Sequence, residues 1–320
     1  MEFLEVATSG PVLDQEQMES DERLALTISI LVPIFFSLIG ITGFIGNFLV
    51  VLTVLFNVQM RNTTNLLIFN LSLADLLFIC FCIPFTAVDY SFGQWPFGLL
   101  WCKTVQYLIV VTAYISIYTL VLMSMDRCLA VCYPYSRVRN ERNTLISIGV
   151  LWIGVMFINV PAFYGHGLIV YPDHDKNITA CGFIENELLN WSTFYISMFT
   201  SSYLLPLILI SGLYLFMLMR LWKSNLTQSK ESRRGKRRVT RLVIIVVACF
   251  ALLWLPIQTI LLLKSLYLYK ADTHLTIALQ ISAHILAYTS SCINPLLYAF
   301  LSENFRKSFR KVCLHEQSHI

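Results

Sequence analysis

Residues 101–134 read WCKTVQYLIVVTAYISIYTLVLMSMDRCLAVCYP, and the other features of the chain can be related to this stretch. Positions 104–125, 22 residues in all, contain no Asp, Glu, Lys or Arg. Because a helix rises about 1.5 Å per residue, this run extends roughly 33 Å and can cross a hydrocarbon core about 30 Å thick. Asp126 and Arg127 follow where the helix leaves the apolar phase. The pair is either a functional latch or a membrane-edge anchor, and charges within membrane helices usually mark function.

The composition extends this interpretation to the whole chain. Of the 320 residues, 57% are hydrophobic and 13% are charged, and the mean hydropathy is +0.67. Ordinary soluble domains carry about 25% charged residues. Seven stretches with few or no charges can each hold a spanning helix of about 20 residues. They are residues 24–60, 62–90, 104–125, 143–172, 188–219, 242–263 and 274–302. The sequence therefore predicts an all-α membrane protein with a seven-transmembrane helix bundle in residues 24–302.

The distribution of charge predicts the orientation of this bundle. An odd number of spans puts the termini on opposite sides, and with the N-terminus outside, 18 of the 23 Lys and Arg residues fall in inner segments. Basic residues favour the cytoplasmic side of a membrane. Residues 1–23 contain seven acidic residues and one Arg, so we expect a disordered extracellular tail there. The expected location is the plasma membrane.

The segments beyond the membrane suggest two kinds of partner. Phe305, Phe309, Val312 and Cys313 recur on one helical face, with basic residues elsewhere, so residues 303–320 should form a cytoplasmic amphipathic helix and tail. Cys313 is placed for palmitoylation, which would add to the contact with membrane lipid. The basic segment 223–241 has the composition of a nucleic-acid-binding stretch. Because spans flank it, a loop that faces anionic lipid or a protein partner is the better interpretation, and no nucleic acid is expected.

The outer loops contain candidate sites for covalent modification. Of nine cysteines, Cys102 and Cys181 are the two that lie outside, which leaves one possible disulfide in the oxidising compartment. The sequence Asn177-Ile-Thr in the fourth-to-fifth loop is a glycosylation signal. Asn190-Trp-Ser is a second signal that lies close to the membrane, and its use stays open.

Polar and proline residues interrupt several spans. Asp75 lies near the middle of the second span, where it is either functional or a protonated acid in the core. Pro84 should kink the outer end of the same span. Prolines 206, 256 and 295 free backbone carbonyls and create bend points, which suits helices that move, although static kinks are the alternative.

Taken together, these motifs resemble the rhodopsin-like family of G-protein-coupled receptors over nearly the whole chain. They comprise Asn47 in GN, Asp75 in LSLAD, Cys102, the DRC sequence at 126–128, Trp152, Pro206, FALLWLP at 250–256 and NPLLY at 294–298. Two positions depart from the family pattern. Cys128 stands where the third-helix motif usually ends in Tyr, and Leu253 precedes Trp254 where Cys is often found.

Single positions narrow the ligand class that this resemblance implies. Ile109 replaces the Asp of amine receptors, and Tyr288 replaces the retinal-binding Lys of opsins. The segments WPFG, FALLWLPIQTILLLKS and AYTSSCINPLLYAFLSENFRKSF look like the galanin and allatostatin-A receptor group. Gln258 favours the allatostatin-A branch, because galanin receptors often have His there. The resemblance implies a short amidated peptide ligand, coupling to a Gi/o heterotrimeric G protein and binding of arrestin. A galanin-type or other peptide receptor is the alternative.

The resemblance also implies three groups of site residues. An outer ligand pocket would comprise Gln106, Ile109, Tyr203, Gln258, Leu261, Lys264, Gln280, His284 and Tyr288. An activation switch would comprise Asp126, Arg127, Ile117, Pro206, Tyr214, Phe250, Trp254, Pro256, Asn294, Pro295 and Tyr298. A polar cluster of Asn47, Asp75, Ser116, Ser290, Ser291 and Asn294 would hold an allosteric sodium ion. Lys236 stands where an acid often restrains the arginine, so Asp126 should be its main restraint, aided by a hydroxyl such as Thr240.

Other functional classes find less support in the sequence. A secondary transporter typically has internal repeats with matching broken helices, and we find no such halves. An intramembrane enzyme needs an acid–base pair, but Asp75 is the single acid in mid-membrane and the histidines are isolated in sequence. No His or Cys cluster has the spacing of metal ligands. We therefore expect a receptor with no catalytic residues and no metal apart from the sodium ion.

Overall fold

The computed structural model describes residues 15–173, 176–185, 187, 189–223, 230–301 and 305. Its helices are α1 Gln15–Phe56, α2 Thr63–Phe81, α3 Ile83–Phe92, α4 Gly98–Cys132, α5 Glu141–Ile158, α6 Val160–Gly165, α7 Trp191–Phe199, α8 Leu205–Lys223, α9 Lys230–Ser265 and α10 His274–Leu301. Strands β1 His166–Asp173 and β2 Lys176–Phe183 form a hairpin between α6 and α7. Among these elements, seven helical segments are long and apolar enough to cross a membrane, which confirms the predicted number of spans.

Prolines account for the breaks in three of the spans. The second span consists of α2 and α3, which separate at Cys82, and Pro84 is the second residue of α3. Pro161 has the same position in α6, after the break that follows α5 in the fourth span. A proline lacks an N–H group, so it is tolerated in a first helical turn, where that group has no intrahelical partner. In the fifth span, a π-helical turn at Thr200–Leu204 comes just before Pro206 in α8.

The prolines of the sixth and seventh spans do not break their helices. Pro256 lies inside α9 and Pro295 inside α10, and both helices continue through these positions. α9 and α10 thus supply the sixth and seventh spans. A kink was predicted at Pro84, and the structure has a break between two helices just before this residue.

Some boundaries differ from the predicted ones. α1 begins at Gln15, so residues 15–23 are helical where an irregular tail was expected. The charge-poor stretch that was expected to hold the fourth span continues to residue 172, whereas the helix ends at Gly165, because the following residues pair with β2. Of the predicted C-terminal helix, Phe305 is described and helical. Phe309, Val312 and Cys313 lie outside the described residues.

Helix α4 lies at the centre of the bundle. It packs against α2, α5, α6, α8 and α9, so it contacts the second, fourth, fifth and sixth spans. Three of its residues, Ile115, Ile117 and Met123, are completely buried. Following the predicted orientation, we call the end of the bundle with Cys102 the outer end and the end with Asp126 the inner end.

Glycines allow the first and seventh spans to approach closely. A Cβ atom added to Gly46 would lie 2.8 Å from Cβ of Pro295. One added to Gly43 would lie 2.8 Å from Ile79 and 3.3 Å from Cβ of Cys292. Small residues have this role in many membrane helix pairs, because packing rather than a hydrophobic driving force holds such helices together.

Candidate ligand site and activation switch

A disulfide fixes the outer loop over the bundle. Cys102 at the start of α4 bonds to Cys181 in β2 with an S–S distance of 2.00 Å and Cα atoms 5.6 Å apart, which confirms the predicted pairing. The backbone N–H of Trp95 donates to the carbonyl of Thr179 at 2.7 Å, and Trp95 itself is buried. The hairpin is therefore attached both to α4 and to the loop that precedes it.

Helices α3 and α10 meet at the outer end through polar side chains. Tyr90 and His284 form a hydrogen bond of 3.4 Å between the hydroxyl and Nδ1. The Tyr288 ring stacks on Phe36 with centroids 4.9 Å apart, and its hydroxyl lies near the Thr86 side chain. Of the predicted pocket residues, His284 and Tyr288 thus belong to one contact region with the second span.

The amides predicted for the pocket lie in different surroundings. Gln106 is half-buried, and its Nε2 lies 3.8 Å from Sγ of Cys181. Gln258 is buried and donates a long hydrogen bond of 3.5 Å to Ser202 in the π-helical turn. Gln280 has a buried Oε1 without a hydrogen-bond partner among the described residues.

The apolar and cationic candidates for the pocket are Ile109, Leu261 and Lys264. Ile109 and Leu261 pack against the outer hydrophobic core. Lys264, in the last turn of α9, is buried. These three residues therefore stay compatible with the predicted pocket.

Tyr203 does not join the outer polar region. Its hydroxyl donates to the carbonyl of Ala251 at 2.8 Å, and its ring belongs to the inner hydrophobic core together with Ile117 and Phe250. Tyr203 lies in the π-helical turn, whose extra residue changes the direction in which its side chains point. The sequence gives no direct signal for such a turn except the nearby Pro206.

Trp254 connects the outer and inner cores. It packs against both hydrophobic clusters, and its ring stacks on Phe250 with centroids 5.5 Å apart. Its Nε1 donates to the hydroxyl of Ser290 at 3.0 Å, which joins α9 to α10. A displacement of this ring would therefore alter contacts on both sides at once. This arrangement suits the relay role that was predicted for Trp254.

A small cavity lies beneath Trp254. Its volume is about 20 Å³, which suffices for one water-sized particle. Asp75 lines it and accepts a hydrogen bond of 2.9 Å from Asn294, and the side chains of Ser116 and Ser291 line the same cavity near this carboxylate. Asn47 lies beside this group, since its Nδ2 donates to the backbone carbonyl of Ser291 at 2.8 Å.

The members of the predicted polar cluster therefore have different roles. Asp75 and Asn294 are hydrogen-bonded to each other, and Ser116 and Ser291 line the cavity beside them. Ser290 lines the same cavity but is bound to Trp254. Carboxylate, amide and hydroxyl oxygens are the donor types that a hard cation prefers, so the chemistry of these side chains fits a sodium ion.

At the inner end, the Asp126 carboxylate accepts hydrogen bonds from four neighbouring side chains. Oδ2 accepts from Arg127 Nη2 and from the Thr64 hydroxyl, each at 2.8 Å. Oδ1 accepts from the Thr63 hydroxyl and from Arg139 Nε, each also at 2.8 Å. The carboxylate is buried, so these charge-assisted bonds are poorly screened by water.

Three of these partners were not predicted. Thr63 and Thr64 begin α2 directly after its N-cap Asn62, and Arg139 lies in the loop between α4 and α5. A sequence signal exists for the threonines, because Asn62 marks the start of a helix. The side chains of Lys236 and Thr240, which were considered for the same site, lie outside what the structure describes.

Arg127 Nε is one of several buried polar atoms that lack a hydrogen-bond partner within the described part of the chain. Among the described residues, Arg127 Nε and the hydroxyls of Tyr214 and Tyr298 have none with good geometry. Tyr214 approaches Ser124, but the Ser124 hydroxyl donates to the Leu120 carbonyl. Unpaired buried polar groups are costly, so an arrangement that supplied them with hydrogen-bond partners would recover part of that cost.

The comparisons with known proteins agree on one family. Residues 46–298 match the family described as 7 transmembrane receptor (rhodopsin family). An allatostatin-A receptor of Bombyx mori is 52% identical over 298 residues, which cover 92% of this chain and 82% of that receptor. Galanin receptor type 2 of Rattus norvegicus is 40% identical over 294 residues, with coverage of 89% and 76%. Galanin receptor type 1 of Homo sapiens is 37% identical over 295 residues, with coverage of 90% and 83%.

Proposed function

The chain belongs to the rhodopsin family of seven-transmembrane receptors, and we propose that it is the receptor for a short amidated neuropeptide of the allatostatin-A type. The observation that carries the proposal is the 52% identity with an allatostatin-A receptor over nearly the whole chain. The galanin receptors, at 40% and 37% identity, favour a galanin-like peptide as the second candidate. Because this family consists of receptors rather than enzymes, the expectation that the chain is not an enzyme is confirmed.

The proposal includes a location and a direction of signalling. The receptor spans the plasma membrane with its N-terminus outside, binds its peptide at the outer end and binds a Gi/o heterotrimeric G protein at the inner end. The excess of Lys and Arg in the predicted inner segments supports this orientation. Arrestin at the inner end, and membrane lipid through a palmitoylated Cys313, complete the proposed interactions.

The contacts described above for Trp254, Arg127 and Asp126 suggest how the signal crosses the membrane. A peptide that displaces the outer ends of α9 and α10 moves Trp254, and with it Phe250 in the inner core. The inner end of α9 then swings outward, and Arg127 leaves Asp126 to meet the G protein. Tyr214 and Tyr298 fill the space behind it and gain hydrogen-bond partners. Two such states need differ by only a few kcal/mol for a ligand to shift their populations.

The same proposal assigns a sodium ion to the cavity beneath Trp254. Asp75, Ser116, Ser291 and Asn294 would hold it, and the ion would neutralise the buried carboxylate in the inactive state. Because an agonist favours the other state, sodium should lower agonist affinity in the wild-type receptor. Agonist affinity that is independent of sodium in both the wild type and Asp75→Asn would contradict this role.

Nucleotide exchange on co-expressed G proteins tests the function directly. We expect an allatostatin-A peptide amide to stimulate exchange at lower concentration than galanin, and Arg127→Ala to bind the peptide without stimulating exchange. Stimulation by galanin alone would favour the second candidate. Uptake of a labelled solute without any peptide response would instead support a transporter.

A further inference from the structure

Asp89 is a buried acid at the outer end of the second span that the predicted pocket does not include. It is 9% exposed, and Ile83 and Asp89 are the buried residues of α3. Its Oδ1 atom has no hydrogen-bond partner among the described residues. A buried charged oxygen without a partner is costly, so a donor supplied from outside the chain would stabilise it.

The surroundings of Asp89 form a polar site between α3 and α10. Thr86, Asp89 and Tyr90 occupy positions i, i+3 and i+4, so they share one face of α3. Tyr90 bonds to His284, and Asp89 lies close enough to Tyr288 for an electrostatic interaction between their polar ends. Asp89 therefore faces the residues of α10 that belong to the proposed pocket.

A second unpaired acceptor lies on the helix that Asp89 faces. Gln280 precedes His284 by one turn of α10, and its buried Oε1 has no partner among the described residues. Unpaired acceptors on these two helices favour a ligand group with N–H donors. A carboxylate supplies none and would be repelled by Asp89.

A carboxamide can satisfy an unpaired acceptor without adding a charge. Lys264 is buried and interacts electrostatically with His284, the hydrogen-bond partner of Tyr90. A cation therefore already lies next to His284. A neutral carboxamide has N–H donors for the Asp89 oxygen and brings no second charge into this region.

We propose that Asp89 is a specificity-determining residue that accepts the N–H groups of the ligand's terminal carboxamide and disfavours a non-amidated terminus. This inference rests on the proposed function and adds the residue that distinguishes an amidated peptide from its free acid. Charge repulsion against the wrong ligand, rather than extra attraction for the right one, supplies much of such a preference.

The test compares three probes on one receptor: a synthetic allatostatin-A peptide as the amide, the same peptide as the free acid, and the N-acetylated amide. In the wild type, the amide should bind more tightly than the acid, with little effect of acetylation. Asp89→Asn should reduce the amide-to-acid affinity ratio by about tenfold or more, as expected for a hydrogen bond to a charged group. The ratio is measured within one variant, so it is independent of expression level.

Two further variants control the experiment. Asp89→Ser, which is smaller and neutral, should reduce the ratio in the same way if Asp89→Asn fails to reach the surface. Asp272→Asn removes the same charge from an exposed outer position and should leave the ratio unchanged.

Several outcomes would overturn the inference. Equal losses of amide and acid affinity in Asp89→Asn would make Asp89 a packing residue. An effect of Asp89→Asn that disappears on N-acetylation would assign it to the peptide's ammonium group instead. Failure of every probe to bind the wild type, with normal surface expression, would reject the proposed function and this inference together.

Discussion

Arg139 donates from Nε to Oδ1 of Asp126 at 2.8 Å, so this carboxylate binds two guanidinium groups rather than the adjacent Arg127 alone. Arg139 belongs to the loop between α4 and α5, and its side chain is one-third exposed, whereas that of Arg127 is largely buried. Asp126 thus links the end of the third span to this loop and, through Thr63 and Thr64, to the second span.

Removal of Arg139 should lower ligand-free nucleotide exchange, although it deletes an ion-pair partner of Asp126. The two guanidinium groups repel each other, and Arg139 competes with Arg127 for the negative charge of Asp126. Arg139→Gln should therefore strengthen the hold of Asp126 on Arg127 and lower ligand-free nucleotide exchange. Arg137→Gln, a charge-matched change in the same loop at an exposed position, is the control. Higher ligand-free exchange in Arg139→Gln would mean that the loop contact itself restrains the receptor.

The close approach of α1 and α10 predicts a steric effect at Gly46. A new Cβ would lie 2.8 Å from Pro295, so Gly46→Ala forces the two helices apart and should cost about 1–3 kcal/mol of stability. Gly149 in α5 has nothing within 4 Å of such an atom. Gly149→Ala should therefore be neutral or stabilising, since Ala favours a helix by up to about 1 kcal/mol. Thermal unfolding of both variants in detergent distinguishes the positions, and equal melting temperatures would contradict the steric argument.

The predictions that succeeded depend on features that are local in sequence. Apolar runs fix the number of spans because a bilayer demands a minimum length, and the outer pairing of Cys102 with Cys181 follows from the scarcity of alternatives. Asp126 and Arg127 were expected to meet because they are neighbours in the chain.

The contacts that sequence reasoning missed join distant segments. Arg139 reaches Asp126 only because of the path of a loop, and β1 could not be separated from the apolar run of the fourth span by hydropathy. Tyr203 points into the core because a π-helical turn changes its direction. Asp89 interrupts a membrane span in the sequence, and the burial of its unpaired oxygen becomes visible only in three dimensions.

The two glycosylation signals should behave differently. Asn177 is exposed in β2, whereas Asn190 is the N-cap of α7. The Asn190 side chain accepts from Thr193 N at 3.2 Å and donates to Glu185 at 2.6 Å, so its amide is already engaged. Asn177→Gln should remove the glycan entirely, as a single shift in electrophoretic mobility. A remaining glycan in this variant would show that Asn190 is used. Asn190→Ala should instead cost about 1 kcal/mol through loss of the cap.

His166 at the start of β1 predicts a dependence of stability on pH. Burial lowers its pKa to about 4, although its Nδ1 atom lies 2.7 Å from the Ala162 carbonyl. The unfolded chain binds a proton near pH 6.5, while the folded protein keeps the ring neutral. Stability should therefore fall between about pH 6.5 and 4, by up to about 3 kcal/mol. Thermal unfolding at several pH values measures this, and His166→Gln should flatten the profile; an unchanged slope would assign it to other groups.

The ion pair at the inner end gives the most direct test of the switch. Asp126→Asn keeps the shape of the side chain but removes the charge that holds Arg127, so the resting population should shift toward the active state. Because about 1.4 kcal/mol corresponds to a tenfold change, loss of this restraint should raise ligand-free nucleotide exchange severalfold. Arg127→Ala should abolish exchange while peptide binding survives, because the proposed mechanism assigns this arginine to the contact with the G protein rather than to the ligand site. If both variants instead reached the surface poorly and the molecules there signalled normally, the pair would be only a membrane-edge anchor.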